Sequence, residues 1–467
     1  MHSYSPFAVS VHDLGTRDLA ALRHVAEGWY VEYKRECPTP SASALAKSVS
    51  AFANTYGGWL FLGIAEESKE RPVAGAFPGI HLDEADATMQ RLRQAAADHL
   101  NPTPYFESKI LFGPNEDLGL ASDRAVICVK VPQSTTAPHV HKSGKIYRRV
   151  SDASEPRPEA DRFVLDQLWR RGDNIKRQHK DWFDRDPEFS DYEKTCPYVR
   201  LMLVADPWSQ RDPWIEADDD KIRAALAENS GVSAIPFDTV YTYSDGLIGR
   251  QLNGNDPANM ALTWRLRKSL VSDVIVPLPI YRMETLDRLP LDLIGYEHAD
   301  RYLRILRKYQ TSSLRIVDLN FLPNILIGVA EIQERLCKLA SWTEGYYLKV
   351  KLLNSWRTTP FVDTAHVLQR FEAHGLPMCL DATSAFPRGT GPDSYMQVSR
   401  HAEIESDAAR VLVQGMFMFS PLALSYGIPM WLDYDDEGKV TPYHVALQEA
   451  GRRAMEVQRL RNLRLKK

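Results

Sequence analysis

Apolar and polar positions along the first third of the chain alternate between two periods. Leu19, Leu22, Val25 and Ala26 fall on one face of a helix over residues 14–26, which starts near Thr16 or Asp18 and delivers Glu27 to its end. The next stretch, Trp29 to Lys34, changes to a period of two and predicts a strand. Tyr30, Glu32 and Lys34 share one face of it, and Trp29, Val31 and Tyr33 share the other. Leu45, Val49 and Phe52 return to helical spacing over 42–55, with Ser41 or Ser43 as the N-cap. Gly57 and Gly58 end that helix, the first at positive φ, and Trp59 to Ile64 reads as a buried strand running to Glu66 and Glu67. Arg71 to Gly75 then forms the return arm of a hairpin. A helix over 82–99, strands at 105–112, 125–131 and 146–150, and a helix over 159–182 complete this part.

Residues 183–197 are polar, bounded by proline and aperiodic, so they mark a linker between a domain at 1–182 and a second at 198–467. In the second part the pattern predicts strands near 198–205, 236–249, 273–282, 345–353 and 376–381. Helices are expected near 219–228, 257–270, 297–309, 324–341 and 361–374, with a last one from 443 to the end. The fold class is therefore α+β, a smaller mixed α/β domain followed by a larger α+β domain whose role the pattern does not identify. No internal repeat or low-complexity tract occurs.

Composition changes little in this picture. The 467 residues are 44% hydrophobic and 25% charged, as in ordinary globular proteins, and the net charge is −4. A nucleic-acid partner would therefore have to be held by a local basic patch. Five scattered cysteines, without a Cys-x-x-Cys pair, fit reduced thiols and exclude a cysteine-rich zinc module. With no unbroken run of about 18 apolar residues and no basic-then-apolar leader, the expected location is the cytoplasm, with no membrane association.

The candidate chemistry lies in the opening stretch. Glu27, Glu32 and Glu66 are carboxylates of the kind that bind Mg²⁺ or Mn²⁺, and Lys34 sits where it could hold a phosphate or orient water. Spacing alone better suits three solvated surface glutamates with Lys34 as an ordinary salt-bridge partner, since Glu-x-Lys on a strand is common. A second stretch, Pro138 to Arg149, offers Lys142, Lys145, Arg148 and Arg149 for backbone phosphates and Tyr147 as a stacking face, or else is a basic hairpin that keeps an edge soluble. His139 and His141 lack further ligands nearby for zinc. The arginine-rich segment after Gly451 reads as a solvated helix face, and Gly389 to Pro392 lacks the lysine of a P-loop.

Three segments in register carry a resemblance: Glu-x4-Glu-x-Lys, then Ala-Phe-Ala-Asn-Thr-x-Gly-Gly-x-Leu-x-x-Gly-Ile, then Gly-x-Ile-Tyr-x-Arg after a Pro-His. Over about residues 20–155 the chain resembles the Schlafen-type Alba-like (AlbA_2) domain. That resemblance implies nucleic-acid binding, RNA rather than DNA. In catalytic members it implies metal-dependent endonuclease cleavage of tRNA or other structured RNA, in defence against phage, by three carboxylates. The first two would be Glu27 and Glu32. The third is an aspartate in the family pattern, and Glu66 stands in its place. Schlafens that pair two such lobes suggest a homodimer or a protein partner completing the groove here. The alternative is a DNA- or RNA-binding regulator whose glutamates are structural. Nucleotide binding, without a P-loop, is a third reading.

Overall fold

The computed structural model describes the chain apart from residues 1–3, 8, 10, 36–41, 151–154, 209–214, 229–236, 252–259, 284–286, 310–313, 343, 400–405, 429–442 and 466–467. The architecture is mixed, and its N-terminal part is built around a βαβ unit. Strand β1 (Val31–Lys34) is followed by helix α1 (Ala42–Asn54) and strand β2 (Gly58–Leu62), with β1 and β2 parallel and Glu32 beside Leu60. On the far side of β2 runs the antiparallel strand Arg124–Val131, which in turn pairs with Glu107–Phe112 and Ile80–His81 to make five strands.

Alternation along these strands sorts their side chains. Leu60, Leu62, Ile127 and Val129 pack under α1 and helix α2 (Leu82–His99), against Leu45, Val49, Phe52 and Leu92. Trp59, Phe61, Val31 and Tyr33 face the other way, where Phe7, Val11, Leu19 and Leu22 cover them. The segment expected as an α-helix over 14–26 is a 3₁₀ helix limited to Asp18–His24, with Leu19 and Leu22 buried. The chain leaves the helix at Val25, whose backbone is extended (φ −111°, ψ 114°), because Ala26 and Glu27 bond to Val73 and Pro72 of the hairpin instead of continuing the turn.

Gly57 takes φ 76°, as expected for the residue ending a helix. Gly58 is required by close approach, because a Cβ there would lie 2.4 Å from the Phe52 ring and 2.6 Å from the Tyr30 carbonyl oxygen. The strand after it stops at Leu62 instead of continuing to Glu66. The chain turns at Gly63, and a separate pair, β3 (Ala65–Glu66) with β4 (Ala74–Ala76), forms the hairpin.

Helix α3 (Arg162–Asp184) connects this part to a larger sheet. Near its middle the buried Arg171 donates to the carbonyls of Ala53, Asn54 and Ser134, which caps the carboxyl end of α1. Near its end Trp182 and Phe183 lie on the second sheet, which runs Thr239–Tyr243, Gly246–Arg250, Thr263–Arg267, Val271–Pro277, Tyr198–Val204, Tyr346–Leu353 and Thr383–Phe386, all antiparallel, with Met396–Val398 also on Tyr346–Leu353. One face of this sheet carries Leu201, Leu203, Trp264, Leu266, Val274 and Val350 into the main core, with helices Ala299–Lys308, Leu322–Leu339, Ala365–His374 and Asp407–Ser425. A three-stranded sheet of Ile280–Met283, Leu314–Asp318 and Thr359–Phe361 adjoins them.

Several expectations here are corrected. Thr263–Arg267 is a strand within the range expected to be a helix, and its burial alternates as a half-covered sheet requires. The strand expected at 376–381 lies instead at Thr383–Phe386, and the single strand over 273–282 is two, interrupted between Pro277 and Ile280. Helix Asp407–Ser425 was not foreseen. It is the one helix among the described residues long and apolar enough to span a membrane, but it packs on Leu322–Leu339 and contributes Met418, Phe419 and Leu422 to the core.

Candidate nucleic-acid interface and the acidic stretch

Glu32 leaves β1 on the α1 face, as the period of two requires, and ends in a closed set of partners. Its Oε1 lies 2.6 Å from Lys34 Nζ and accepts from Ser48 Oγ at 2.7 Å, while Oε2 accepts from Arg149 Nη1 at 3.0 Å. Glu32 is only 2% exposed and Arg149 is fully buried. The guanidinium also donates to the carbonyls of Gly28 (3.0 Å) and Val31 (3.1 Å), and its carbon stands 4.5 Å from the centre of the Phe52 ring. Burial draws the Arg149 pKa below its ordinary value, opposed by Glu32 and Glu27.

Glu27 and Glu66 are placed differently. Glu27 is half-buried, and its Oε1 accepts from the Tyr33 backbone N–H at 3.0 Å. Burial raises its carboxyl pKa to about 7, the Tyr33 N–H opposes the rise, and the like charges of Glu32 and Glu66 add to it. Glu66, on the β3–β4 hairpin, is exposed; the hairpin is tied to Glu27 through the Glu27 N–H, which donates to the Pro72 carbonyl at 2.7 Å. The three glutamates are thus neighbours in charge, but no group of three Asp, Glu, His or Cys side chains among the described residues is disposed to hold a metal ion. Both Glu32 oxygens already face a cation, so a divalent cation there would stand against the like charges of Lys34 and Arg149.

The Ala-Asn-Thr segment explains how the basic stretch is held. Asn54 donates to the carbonyls of His139 and Tyr147 and accepts from the His139 N–H, and Thr55 Oγ1 accepts from the Arg149 N–H at 2.9 Å. The same segment brings Phe52 under Arg149. Its residues therefore fasten the basic stretch over 139–149 to α1, while Ser48 ties α1 to Glu32 on β1 and Arg171 ties it to α3. Neither Ser48 nor Arg171 was singled out from sequence, because a serine or arginine on a helix carries no signal until its partner is known.

The five basic-stretch residues separate by environment. Lys142 and Lys145 are exposed, and Lys142 Nζ leans 3.0 Å from His99 Nε2. Arg148 is paired with Glu159 at 2.6 Å. Tyr147 is buried, with Lys47 Nζ 5.3 Å above its ring and His141 against its edge, so the ring is covered. Arg149 lies wholly inside. His139 is buried and His141 is held by Ser43 and Ser143, with burial lowering the pKa of each. Residues 466–467 and the side chains of 460–465 lie outside the described residues, so the basic face expected after Gly451 is described only in part.

This arrangement, a βαβ-based five-stranded sheet with an internal ion cluster and two outward lysines, defines a class of small mixed α/β domain. Residues 27–158 match the model of the family described as Schlafen, AlbA_2. The N-terminal part thus carries a domain similar to that family's, and the match includes nothing beyond residue 158. No curated protein matches the chain. Among solved structures, the DIP2311 protein from Corynebacterium diphtheriae is similar at 16% identity, covering 67% of this chain and 75% of that one, with a TM-score of 0.20. A likeness that slight carries no argument about fold or activity.

Proposed function

We propose that this chain binds nucleic acid through its N-terminal region and that its glutamates there serve structure and charge balance, as in a non-catalytic DNA- or RNA-binding regulator. The family match supports the binding, and the pairing of both Glu32 oxygens, with Lys34 and Ser48 on one and Arg149 on the other, is the observation that favours the non-catalytic form. A carboxylate held between two cations in a dry site is neutralised from within and needs no metal. Lys142 and Lys145, exposed on the segment that Asn54 anchors, are the residues on which phosphates would rest.

A fluorescence-anisotropy titration of labelled tRNA over a range of salt tests this reading. Lys142→Ala with Lys145→Ala should flatten the slope of log affinity against log salt by about 2, since each phosphate contact contributes roughly 0.9. An unchanged slope removes these lysines from the interface.

The second reading, a Mg²⁺- or Mn²⁺-dependent endoribonuclease, is favoured by one observation: Glu27 has its pKa near 7, with Glu32 and Glu66 close enough to raise it. Glu27→Gln and Glu66→Gln test it in a cleavage assay with tRNA and Mn²⁺. Glu32→Ala is the wrong probe, since it leaves Arg149 buried without its carboxylate and confounds folding with chemistry. Cleavage by wild type that both Gln variants abolish would replace the regulator with the nuclease.

A further inference from the structure

The large sheet has a second face, outside the segment matched by the family. The strand register places Thr239, Tyr241 and Tyr243 on it, in line across the sheet with Arg250, Ile248 and Gly246 and then with Thr263, Arg265 and Arg267. The neighbouring Leu247, Trp264 and Leu266 point the opposite way into the core. Tyr241 and Tyr243 are 43% and 40% exposed, and Arg265, also exposed, holds its guanidinium carbon 5.3 Å from the Tyr243 ring centre. Arg265 forms no ion pair among the described residues; Arg267 is paired with Asp245 at 3.1 Å.

This face is bounded by the end of α3, and between them lies an open groove of about 760 Å³. Arg177, Trp182 and Arg185 line it from α3 and the turn after it, opposite Arg265 and Arg267. Four acidic side chains also line it, and two of them are neutralised internally. Asp273 accepts from Arg200 at 2.7 and 2.9 Å, and Asp186 from Arg200 at 3.3 Å and Lys351 at 2.6 Å. Asp181 and Glu188 remain, at the exposed rim. The groove therefore carries Arg177, Arg185 and Arg265 along its lining, and the exposed rings of Tyr241 and Tyr243 stand beside it on the same sheet face, Tyr243 next to Arg265.

We propose that this groove and the tyrosine-bearing sheet face beside it bind a short single-stranded segment of nucleic acid, its phosphates on Arg177, Arg185 and Arg265 in the groove and its bases against Tyr241 and Tyr243 next to it. Exposed rings on an open sheet offer stacking surface to any base, and guanidinium forks match phosphate geometry. An acidic peptide would satisfy the arginines and leave the two tyrosines without a purpose. The inference rests on the nucleic-acid reading above and gives the same ligand a second contact, on the larger sheet.

The test uses the full chain with two fluorescein-labelled RNAs, an oligouridylate of about ten nucleotides and a fully paired stem-loop. Tyr243→Ala with Arg265→Ala should weaken the oligouridylate by about ten-fold or more and the stem-loop by less than about two-fold. Tyr243→Phe keeps the ring and should retain oligouridylate binding. Lys142→Ala with Lys145→Ala should show the opposite preference. Melting temperature monitors folding of each variant. Undiminished oligouridylate binding in the groove variant, with stem-loop binding still sensitive to Lys142 and Lys145, overturns this proposal alone. Failure of wild type to bind either RNA overturns it together with the nucleic-acid reading. Displacement of oligouridylate from wild type by oligoglutamate of matched charge, at equal concentration, overturns it in favour of an acidic protein segment.

Discussion

Each sheet carries a charged knot beneath a helix, and the two are inverted copies in charge. Under α1 one carboxylate, Glu32, lies between two cations, Lys34 and Arg149. Beside α3 one cation, Arg200, lies between two carboxylates, Asp186 and Asp273, and Lys351 completes a neutral set of four. The first knot seals its Glu32–Arg149 pair, at 3% and 0% side-chain exposure, and reaches solvent only at Lys34 (29%), whereas in the second both carboxylates reach solvent, Asp273 at 14% and Asp186, facing the groove, at 36%. An additional carboxylate, Glu27, stands beside the first knot, and its charge is suppressed near neutral pH by burial and by its acidic neighbours. Sealing a knot makes it structural and unforgiving, and an open one stays available to solvent and ligands.

The most severe way to break this comparison is Arg149→Ala, which strands Glu32 in a dry site with Lys34 alone. A loss of about 3–5 kcal/mol is expected in urea unfolding. Arg200→Ala should cost less, roughly 1–3 kcal/mol, because water can reach Asp186 and partly Asp273. Equal losses would erase the distinction between sealed and open.

Glu27 gives a pH test of the first knot. A carboxyl that titrates near 7 when folded, against an ordinary 4.5, binds its proton more tightly in the folded chain. Its contribution is fully present below about pH 4.5 and is lost as pH rises through about 7, a change of up to about 3 kcal/mol. Glu27→Gln should remove that decline and leave the variant more stable than wild type above pH 7. A wild-type stability curve that does not fall between these values because of Glu27, so that Glu27→Gln runs parallel to it, would place the carboxyl in solvent.

The smallest effect is expected at the pair Arg148–Glu159, at 18% and 12% side-chain exposure and joined by one ion pair at 2.6 Å. Arg148→Ala should cost about 1 kcal/mol, because Glu159 keeps the backbone N–H groups of Ala160 and Asp161 as donors. That would separate it sharply from Arg149, its immediate neighbour in the chain.

These adjacent arginines show how far sequence reading reaches. As text, Arg148 and Arg149 are interchangeable members of a basic run, and both suit phosphate contact. A strand sends neighbours to opposite faces, and only the paired sheet and α1 decide that Arg149 goes inward. Tyr147 likewise carries no mark that Lys47 and His141 cover it. The period of two in β1, by contrast, placed Glu32 and Lys34 together on the α1 face, and the two are 2.6 Å apart. The Ala-Asn-Thr and Gly-Gly segment was recognisable as a motif. That its work is to fasten the basic stretch depends on Asn54 and Thr55 meeting residues some 85 to 94 positions away.

By itself the sequence determined the local elements of the N-terminal part: α1, α2, the βαβ order, and the turn at Gly57 and Gly58. Those follow from apolar periodicity and from backbone conformations that only nearby residues need to support. The second sheet was less legible, since Thr263–Arg267 and Asp407–Ser425 take their form from partners far along the chain. Tertiary structure alone decided which charges are sealed, which face of the large sheet stays open, and which lysines remain for a ligand. A charge takes its meaning from the dielectric and the partners around it, and both are set by residues distant in sequence.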